Sequence, residues 1–287
     1  MYDVIIIGTG AAGLSSALTL KQLNKNFLWL GSKKLSLKIN AAECIRNYPG
    51  LISVSGHEMQ GVFQRQIESM GIEITEAQVT GVYDMGDHYG VLCGSEQYEA
   101  LSVILAVGVE TVKPLKGELD YVGSGISYCA TCDGFLYKGK EITVLSTDKE
   151  FEHEIEYLAS LANKVTVVAL YKNVEISGNN VEIIADRPTE VVKEGKKMKM
   201  VFKDKTIESD GIFMLKSAIT PSVLVPGIEV EEGHIKIDRQ GRTSMKGCFA
   251  AGDCTGKPYQ YTKAVGEGNV AAHSAVTYLA ELKKAQK

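Results

Sequence analysis

An order of elements that occurs twice constrains this chain more than any other feature. In the first occurrence the β-branched run DVIII (3–7) leads into GTGAAG (8–13), a helical stretch LSSALTLKQL (14–23) and a second apolar run, NFLWL (26–30). In the second, EITVL (141–145) leads into STDKEF (146–151), a helical pattern, and VTVVAL (165–170). In that second helix Phe151, Ile155, Leu158 and Ala162 recur at i, i+4, i+7 and i+11, the period of an amphipathic helix. Each copy then shows short strand signals: VTGVYDM, YGVLC and QYEA before SVILAVG (102–108), and TEVVKEG, KMKMVFK and KTIES before GIFML (211–215). Strand–turn–helix–strand followed by a meander, present twice, predicts an α/β fold of two dinucleotide-binding-type (Rossmann-like, three-layer) domains. The remaining segment, 216 to 287, holds short strands (HIKI, CFAAG) and one helix over 264–284, too little to stand alone. It is expected to complete the first domain, so that the second is inserted into it: 1–112 and 215–287 for the first, 113–214 for the insertion.

The bulk properties narrow the function classes. A chain of 287 residues, 45% hydrophobic, suits two medium domains. The net charge of -4 and a pI of about 5.8 give no basic stripe for a nucleic acid. The opening MYDVIIIG is too short and lacks the basic leader of a signal peptide, and no run approaches the roughly 18 apolar residues of a membrane span. A cytoplasmic protein is expected. Six cysteines without a secretion signal do not read as a disulfide scaffold.

GTGAAG sits between a strand and a helix. Gly8 permits the tight turn, Gly10 lets backbone approach a pyrophosphate and Gly13 lets helix and strand come close. The helix N-terminus then faces the anion. An acid to hold the adenosine ribose is missing, because the next strand ends in Gly31, Ser32, Lys33 and Lys34. The motif therefore does not name its dinucleotide. In GCFAAGDCTGKPYQYTKAVGEGNVAAHSA (247–275), Asp253 follows Ala-Gly at a strand end, where it suits a ribityl hydroxyl, and a glycine-containing helix start lies beyond it. YCATCDG (128–134) holds a Cys-x-x-Cys pair, open to three readings: half a zinc site, a redox disulfide or coincidence. Zinc needs two more ligands. Cys44, Cys93, Cys248 and Cys254 form no second close pair and the five histidines are scattered, so no metal is expected. Asp133 beside the pair suits proton transfer to and from a thiolate, and Cys-x-x-Cys spacing depresses one thiol's pKa. The other four cysteines read as small core residues.

These stretches together, with NYPG (47–50), LAVG (105–108), SYCATCDGFLYKG (127–139), CFAAGDC (248–254) and QYTKAVGEGNVAA (260–272), resemble the low-molecular-weight thioredoxin reductases over nearly the whole length. The resemblance implies a homodimer of FAD enzymes whose inserted domain carries the redox cysteines and whose partner is thioredoxin. By position it assigns FAD contacts to Gly8, Gly10, Ala11, Ala12, Gly13, Gly31, Asn47, Ala106, Gly108, Gly252, Asp253, Gln260 and Tyr261. It places Cys132 against the flavin, gives Cys129 the attack on thioredoxin, and makes Asp133 the proton donor and acceptor.

The chain departs from that family at the second turn. A glycine-rich turn and a following arginine pair hold NADPH in the family, whereas STDKEF has no glycine and the arginine positions fall in Ala169-Leu170-Tyr171. One subgroup shares this loss: the ferredoxin-dependent flavin thioredoxin reductases. The physics agrees independently. Thr147 and Glu150 have capping-box spacing, which would satisfy the amides that a glycine loop leaves for phosphate. Asp148, Glu150, Glu152 and Glu154 crowd the helix start, where they suit the dipole and repel pyrophosphate. One such pair about 5 Å apart at an effective dielectric near 20 costs roughly 3 kcal/mol, against about 8 kcal/mol for a micromolar ligand. The expected function is thioredoxin reduction with electrons from ferredoxin. The alternatives are an NADPH thioredoxin reductase with an atypical site, a diflavin oxidoreductase and a redox-sensing module without turnover. Three lysine groups are candidate ferredoxin contacts: Lys33, Lys34 and Lys38; Lys193, Lys196, Lys197 and Lys199; Lys283, Lys284 and Lys287. The first is favoured because it follows the strand after the FAD helix.

Overall fold

A computed structural model describes all residues except 37, 38, 40, 41, 43, 110–113, 129, 217–219, 286 and 287, and at 132 the backbone alone. The chain forms two compact units, Met1–Val109 with Leu224–Lys287, and Glu110–Val223. The first unit begins with β1 (Tyr2–Ile7), α1 (Ala11–Gln22), β2 (Phe27–Gly31), α2 (Gly56–Ser69), β3 (Thr75–Glu76), β4 (Gly81–Asp84), β5 (Tyr89–Cys93) and β6 (Glu96–Leu105). The second holds β7 (Ile126–Ser127), α3 (Ala130–Asp133), β8 (Glu141–Ser146), α4 (Glu152–Leu161), β9 (Lys164–Ala169), β10 (Val181–Ile184), β11 (Glu190–Glu194), β12 (Lys197–Val201), β13 (Thr206–Ser209) and β14 (Gly211–Leu215). After the short α5 (Pro221–Leu224), the first unit resumes with β15 (Val230–Glu231), β16 (His234–Ile235), β17 (Cys248–Ala250) and α6 (Tyr261–Ala285).

The main sheet of the first unit runs β3-β2-β1-β6-β5-β4, with β17 also on β6. Its centre is parallel: Ile6 pairs with Trp29 on β2 and with Ile104 on β6. Val4 to Ile7 are all buried, as a strand covered on both faces requires. QYEA and SVIL, separate strands in the sequence reading, form one ten-residue strand, β6. Along one edge β6 pairs with β5 through Glu96 to Ala100 and with β17 through Val103 to Leu105, so a single long strand carries two neighbours in series.

Helix α1 is rich in Ala, Gly and Ser because α6 lies against it. A Cβ on Gly268 would stand 2.2 Å from the Ala12 carbonyl oxygen, so only glycine allows that approach. The Ser16 hydroxyl donates to the carbonyls of Ala12 (3.0 Å) and Gly268 (2.9 Å), and the Asn269 amide donates to Thr19 Oγ1 (3.0 Å). Gly268 thus serves helix crossing. The sequence reading passed over α2, although Ser55 and Glu58 close a capping box and Met59, Phe63 and Ile67 form its buried stripe.

The second unit has a five-stranded parallel sheet, β10-β9-β8-β14-β7, and an antiparallel meander, β11-β12-β13. Val144 pairs with Val167 and Phe213 in its centre. The expected helix face, Phe151, Ile155, Leu158 and Ala162, is buried against this sheet. None of the described helices is long and apolar enough to cross a membrane.

Candidate active site

The turn after β1 is shaped by glycine. Gly8 has φ +106°, and a Cβ there would lie 2.3 Å from the Ala106 carbonyl oxygen. A Cβ on Gly13 would lie 1.9 Å from the Gly8 carbonyl oxygen, which also accepts the Trp29 indole N–H at 2.9 Å. Gly10 caps α1 with no side-chain hydrogen bond, and nothing lies within 4 Å of where its Cβ would be. The first amides of α1 therefore carry a partial positive charge without a side-chain cap.

That turn opens into a cleft of about 690 Å³ including its mouth. Of the thirteen residues expected to hold the cofactor, Gly10, Ala11, Ala12, Ala106, Gly108, Gly252, Asp253, Gln260 and Tyr261 line it. Gly8 and Gly13 instead shape the turn. Gly31 (φ +149°) makes room for Thr9, and Asn47 donates to the Gln260 side chain at 2.7 Å.

Sequence reasoning missed Ser36, Ile39, Tyr259 and Ala264 in the lining, and a network behind it. Lys263 Nζ, with three N–H donors, lies within hydrogen-bonding distance of four acceptors: the carbonyls of Gly252 (2.9 Å) and Gly256 (2.9 Å), Thr255 Oγ1 (3.0 Å) and Glu267 (3.0 Å). Glu267 in turn accepts from the Gly252 amide (2.9 Å) and the Thr255 hydroxyl (2.8 Å). Loop 252–256 is thereby tied to α6, and Asp253 is held at the cleft. The Lys-x-x-x-Glu spacing at 263 and 267 was the available signal.

In the second unit β7 ends at Ser127 and α3 begins at Ala130, inside the Cys-x-x-Cys stretch. Cys129 and the side chain of Cys132 lie outside the described residues. Asp133 is half-buried at the end of α3. The next residues, Phe135 and Leu136, are 70% and 65% exposed, an apolar pair beside the motif. Gly134 fits closely against Leu158 and Tyr157 of α4, where a Cβ would stand 3.0 Å from each side chain.

The turn after β8 is closed by carboxylates, with the cap shifted by one residue from the Thr147–Glu150 box. The Asp148 side chain accepts from the Glu150 amide (3.0 Å), because the chain makes a single 3-10 turn, Lys149–Phe151, before α4 begins. Thr147 faces β14, its hydroxyl 3.5 Å from the Leu215 carbonyl. From the first turn of α4, Glu152 accepts the Tyr171 hydroxyl (3.0 Å) and the Glu175 amide (2.9 Å), and Lys149 pairs with Glu175 at 2.7 Å. Burial and the Glu152 bond push the Tyr171 hydroxyl up, and burial raises the Glu154 carboxyl.

The remaining cysteines need one correction. Cys93, Cys248 and Cys254 are buried, and burial pushes their thiols up to about 11, 12 and 12. Cys44 is exposed, 3.4 Å from the Ser53 hydroxyl, and hydrogen bonds from Ser53 and Arg46 lower its thiol. The core position expected for all four cysteines fails here, because the loop leaves Cys44 exposed. Among the described residues no three His, Cys, Asp or Glu side chains are grouped to hold a metal.

Residues 2–268 match the pyridine nucleotide-disulphide oxidoreductase family. The thioredoxin reductase of Listeria innocua is 32% identical over 99% of this chain and 96% of its own, and that of Bacillus subtilis 30% over 100% and 98%. The chain belongs to the thioredoxin reductase family. Among solved structures, a ferredoxin-flavin thioredoxin reductase from Clostridium acetobutylicum is 47% identical with a TM-score of 0.89, and a second from the same organism 41% with 0.90; each comparison covers 98% of both chains. The cofactor of the reductase is FAD. The cleft of the first unit fits it: the uncapped N-terminus of α1 suits the pyrophosphate, glycine-shaped backbone allows close approach, and the Asp253 carboxylate and Gln260 amide supply polar contacts.

Proposed function

We propose that this reductase takes its electrons from reduced ferredoxin and not from NADPH, and passes them to thioredoxin through a Cys129–Cys132 disulfide. The observation that carries the reading is the self-satisfied turn after β8, where a nucleotide would have to displace Glu152 from Tyr171 and Glu175 and sit among carboxylates. The two Clostridium ferredoxin-flavin reductases support it. In this reading Gly8, Gly10, Ala11, Ala12, Gly13, Gly31, Asn47, Ala106, Gly108, Gly252, Asp253, Gln260 and Tyr261 form or support the FAD site. FAD, when bound, supplies the exchange between one-electron and two-electron chemistry.

The protein's own steps are thiol chemistry. The Cys129 thiolate attacks the thioredoxin disulfide, forming a mixed disulfide and releasing one thioredoxin thiolate, which takes a proton. Cys132 then attacks Cys129 in the mixed disulfide, closing the Cys129–Cys132 bond and freeing the second thioredoxin thiolate. Asp133 carries protons to and from these sulfurs. Ferredoxin meets the first unit near Lys33 and Lys34, which are exposed and precede Ser36 and Ile39 of the cleft lining. Lys38 and Lys287 lie outside the described residues, whereas Lys197 and Lys199 are engaged with Asp210 and with Glu194 and Glu208. Domain bounds of 1–112, 113–214 and 215–287, a homodimer and a cytoplasmic location complete the reading.

The test is an anaerobic thioredoxin-reduction assay with ferredoxin or NADPH as donor. Turnover with ferredoxin and none with submillimolar NADPH is expected; stoichiometric flavin reduction by NADPH would refute the assignment. Cys129→Ser is expected to abolish thioredoxin reduction while the flavin still accepts electrons.

A further inference from the structure

A buried cluster of Lys216, Glu118 and Tyr128 adjoins the redox motif in sequence, Tyr128 being the residue before Cys129. Lys216 and Glu118 pair at 2.6 Å with side chains 1% and 0% exposed. Glu118 also accepts from the Leu115 amide (2.7 Å) and from the Tyr128 hydroxyl, and the Lys216 ammonium lies 6.0 Å from the centre of the Tyr128 ring. A charge pair removed from water in this way contributes little net stability and is often replaced by apolar residues without loss. Its retention therefore asks for a local purpose.

The topology supplies one. β7 and β14 are parallel neighbours, with Ile126 opposite Ile212 and Ser127 opposite Phe213. Tyr128 and Lys216 therefore leave the sheet at the same carboxyl edge, where sheets of this kind present their functional groups. Tyr128 immediately precedes Cys129, and Glu118 lies in the opening stretch of the same second unit. Three restraints converge on the residue before the first cysteine: its strand, its hydroxyl bond to Glu118 and the ammonium beside its ring.

We propose that Glu118, Lys216 and Tyr128 are positioning residues for the Cys129–Cys132 pair, fixing the backbone from which Cys129 reacts. This rests on the reading of Cys129 and Cys132 as the redox pair. Small displacements of a reacting group have large kinetic cost, and support of this kind is what holds a site in productive geometry.

The test uses the FAD-loaded protein, reduced with dithionite and mixed with oxidised thioredoxin in single turnover. Each turnover oxidises the two thiols to a disulfide and reduces the thioredoxin disulfide to two thiols. Glu118→Gln and Lys216→Met singly leave a buried charge unpaired and lower the melting temperature. The double variant is expected to regain that melting temperature while its limiting rate stays about tenfold below wild type, with half-saturation by thioredoxin unchanged, in line with the cost of misplacing a reacting group. Tyr128→Phe, which keeps the ring, is expected to lower the limiting rate with little change in melting temperature. Recovery of the limiting rate together with the melting temperature in the double variant would overturn the inference and leave the redox reading intact. Thiol counting that finds no Cys129–Cys132 bond in the oxidised wild type would overturn both.

Discussion

The turns after β1 and β8 occupy equivalent places in two copies of one scaffold, and they differ in what satisfies the backbone. After β1 the chain uses glycine at 8, 10 and 13, and α1 begins without a side-chain cap. After β8 it uses Asp148 as the cap and commits Glu152 to Tyr171 and Glu175. In the first turn the helix dipole is left for a ligand; in the second it is neutralised by the protein's own carboxylates. In the proposed reading a handful of side chains at the turn, and not the βαβ geometry, decides nucleotide binding.

The largest way to break this contrast is to crowd the first turn. In Gly13→Val a side chain would meet the Gly8 carbonyl, which its Cβ would approach to 1.9 Å. Overpacking costs up to about 3 kcal/mol, roughly a hundredfold in FAD affinity. Flavin content after reconstitution reads this, and wild-type content would mean that the turn does not define the site. A smaller effect is expected from Lys263→Met, which unties loop 252–256 from α6. Charged hydrogen bonds contribute about 1.5–3 kcal/mol, so FAD affinity of the apoprotein should fall about tenfold by flavin fluorescence titration; an unchanged affinity would remove the clamp from the site.

The second turn supplies the converse. Asp148→Ala should lower stability in a urea titration by about 1 kcal/mol, as for a lost helix cap, without altering FAD content or thioredoxin reduction. A gain of flavin reduction by NADPH would show that the cap alone kept the nucleotide out. The smallest expected effect is a slowing of about threefold in the ferredoxin-driven rate for Lys33→Glu with Lys34→Glu, with a rate in wild type that falls as salt rises. Artificial one-electron donors should be unaffected. Normal ferredoxin kinetics in the double variant would place the docking surface elsewhere.

The cleft was legible in the sequence wherever backbone conformation dictates residue type. Gly8 and Gly13 declare a turn that admits no Cβ, and Asp253 stands at a strand end with a loop beyond it. Tyr259 and Ile39 were not legible, since an aromatic or aliphatic residue at a cleft wall reads like any other. Lys263 and Glu267 have the spacing of an ordinary surface helix pair, and only the folded loop turns them into a clamp. The Asp148 cap was misread as Thr147 because both residue types cap helices, and the short 3-10 turn that chooses between them has no clear sequence signal. Likewise Gly268 showed that a glycine was needed, while its partner, the Ala12 carbonyl, lies far away in the sequence.

The serial pairing of β5 and β17 along one edge of β6 has a consequence for synthesis. The second unit is contiguous and is finished by residue 223, whereas the first lacks β17 and the α6 surface until the last residues are made. As domains fold in units when the chain emerges, the inserted unit closes first and the cofactor cleft, whose walls include Asp253 and Gln260, is assembled last. Truncation before β17 would therefore leave the thiol-bearing unit folded and the flavin site unmade.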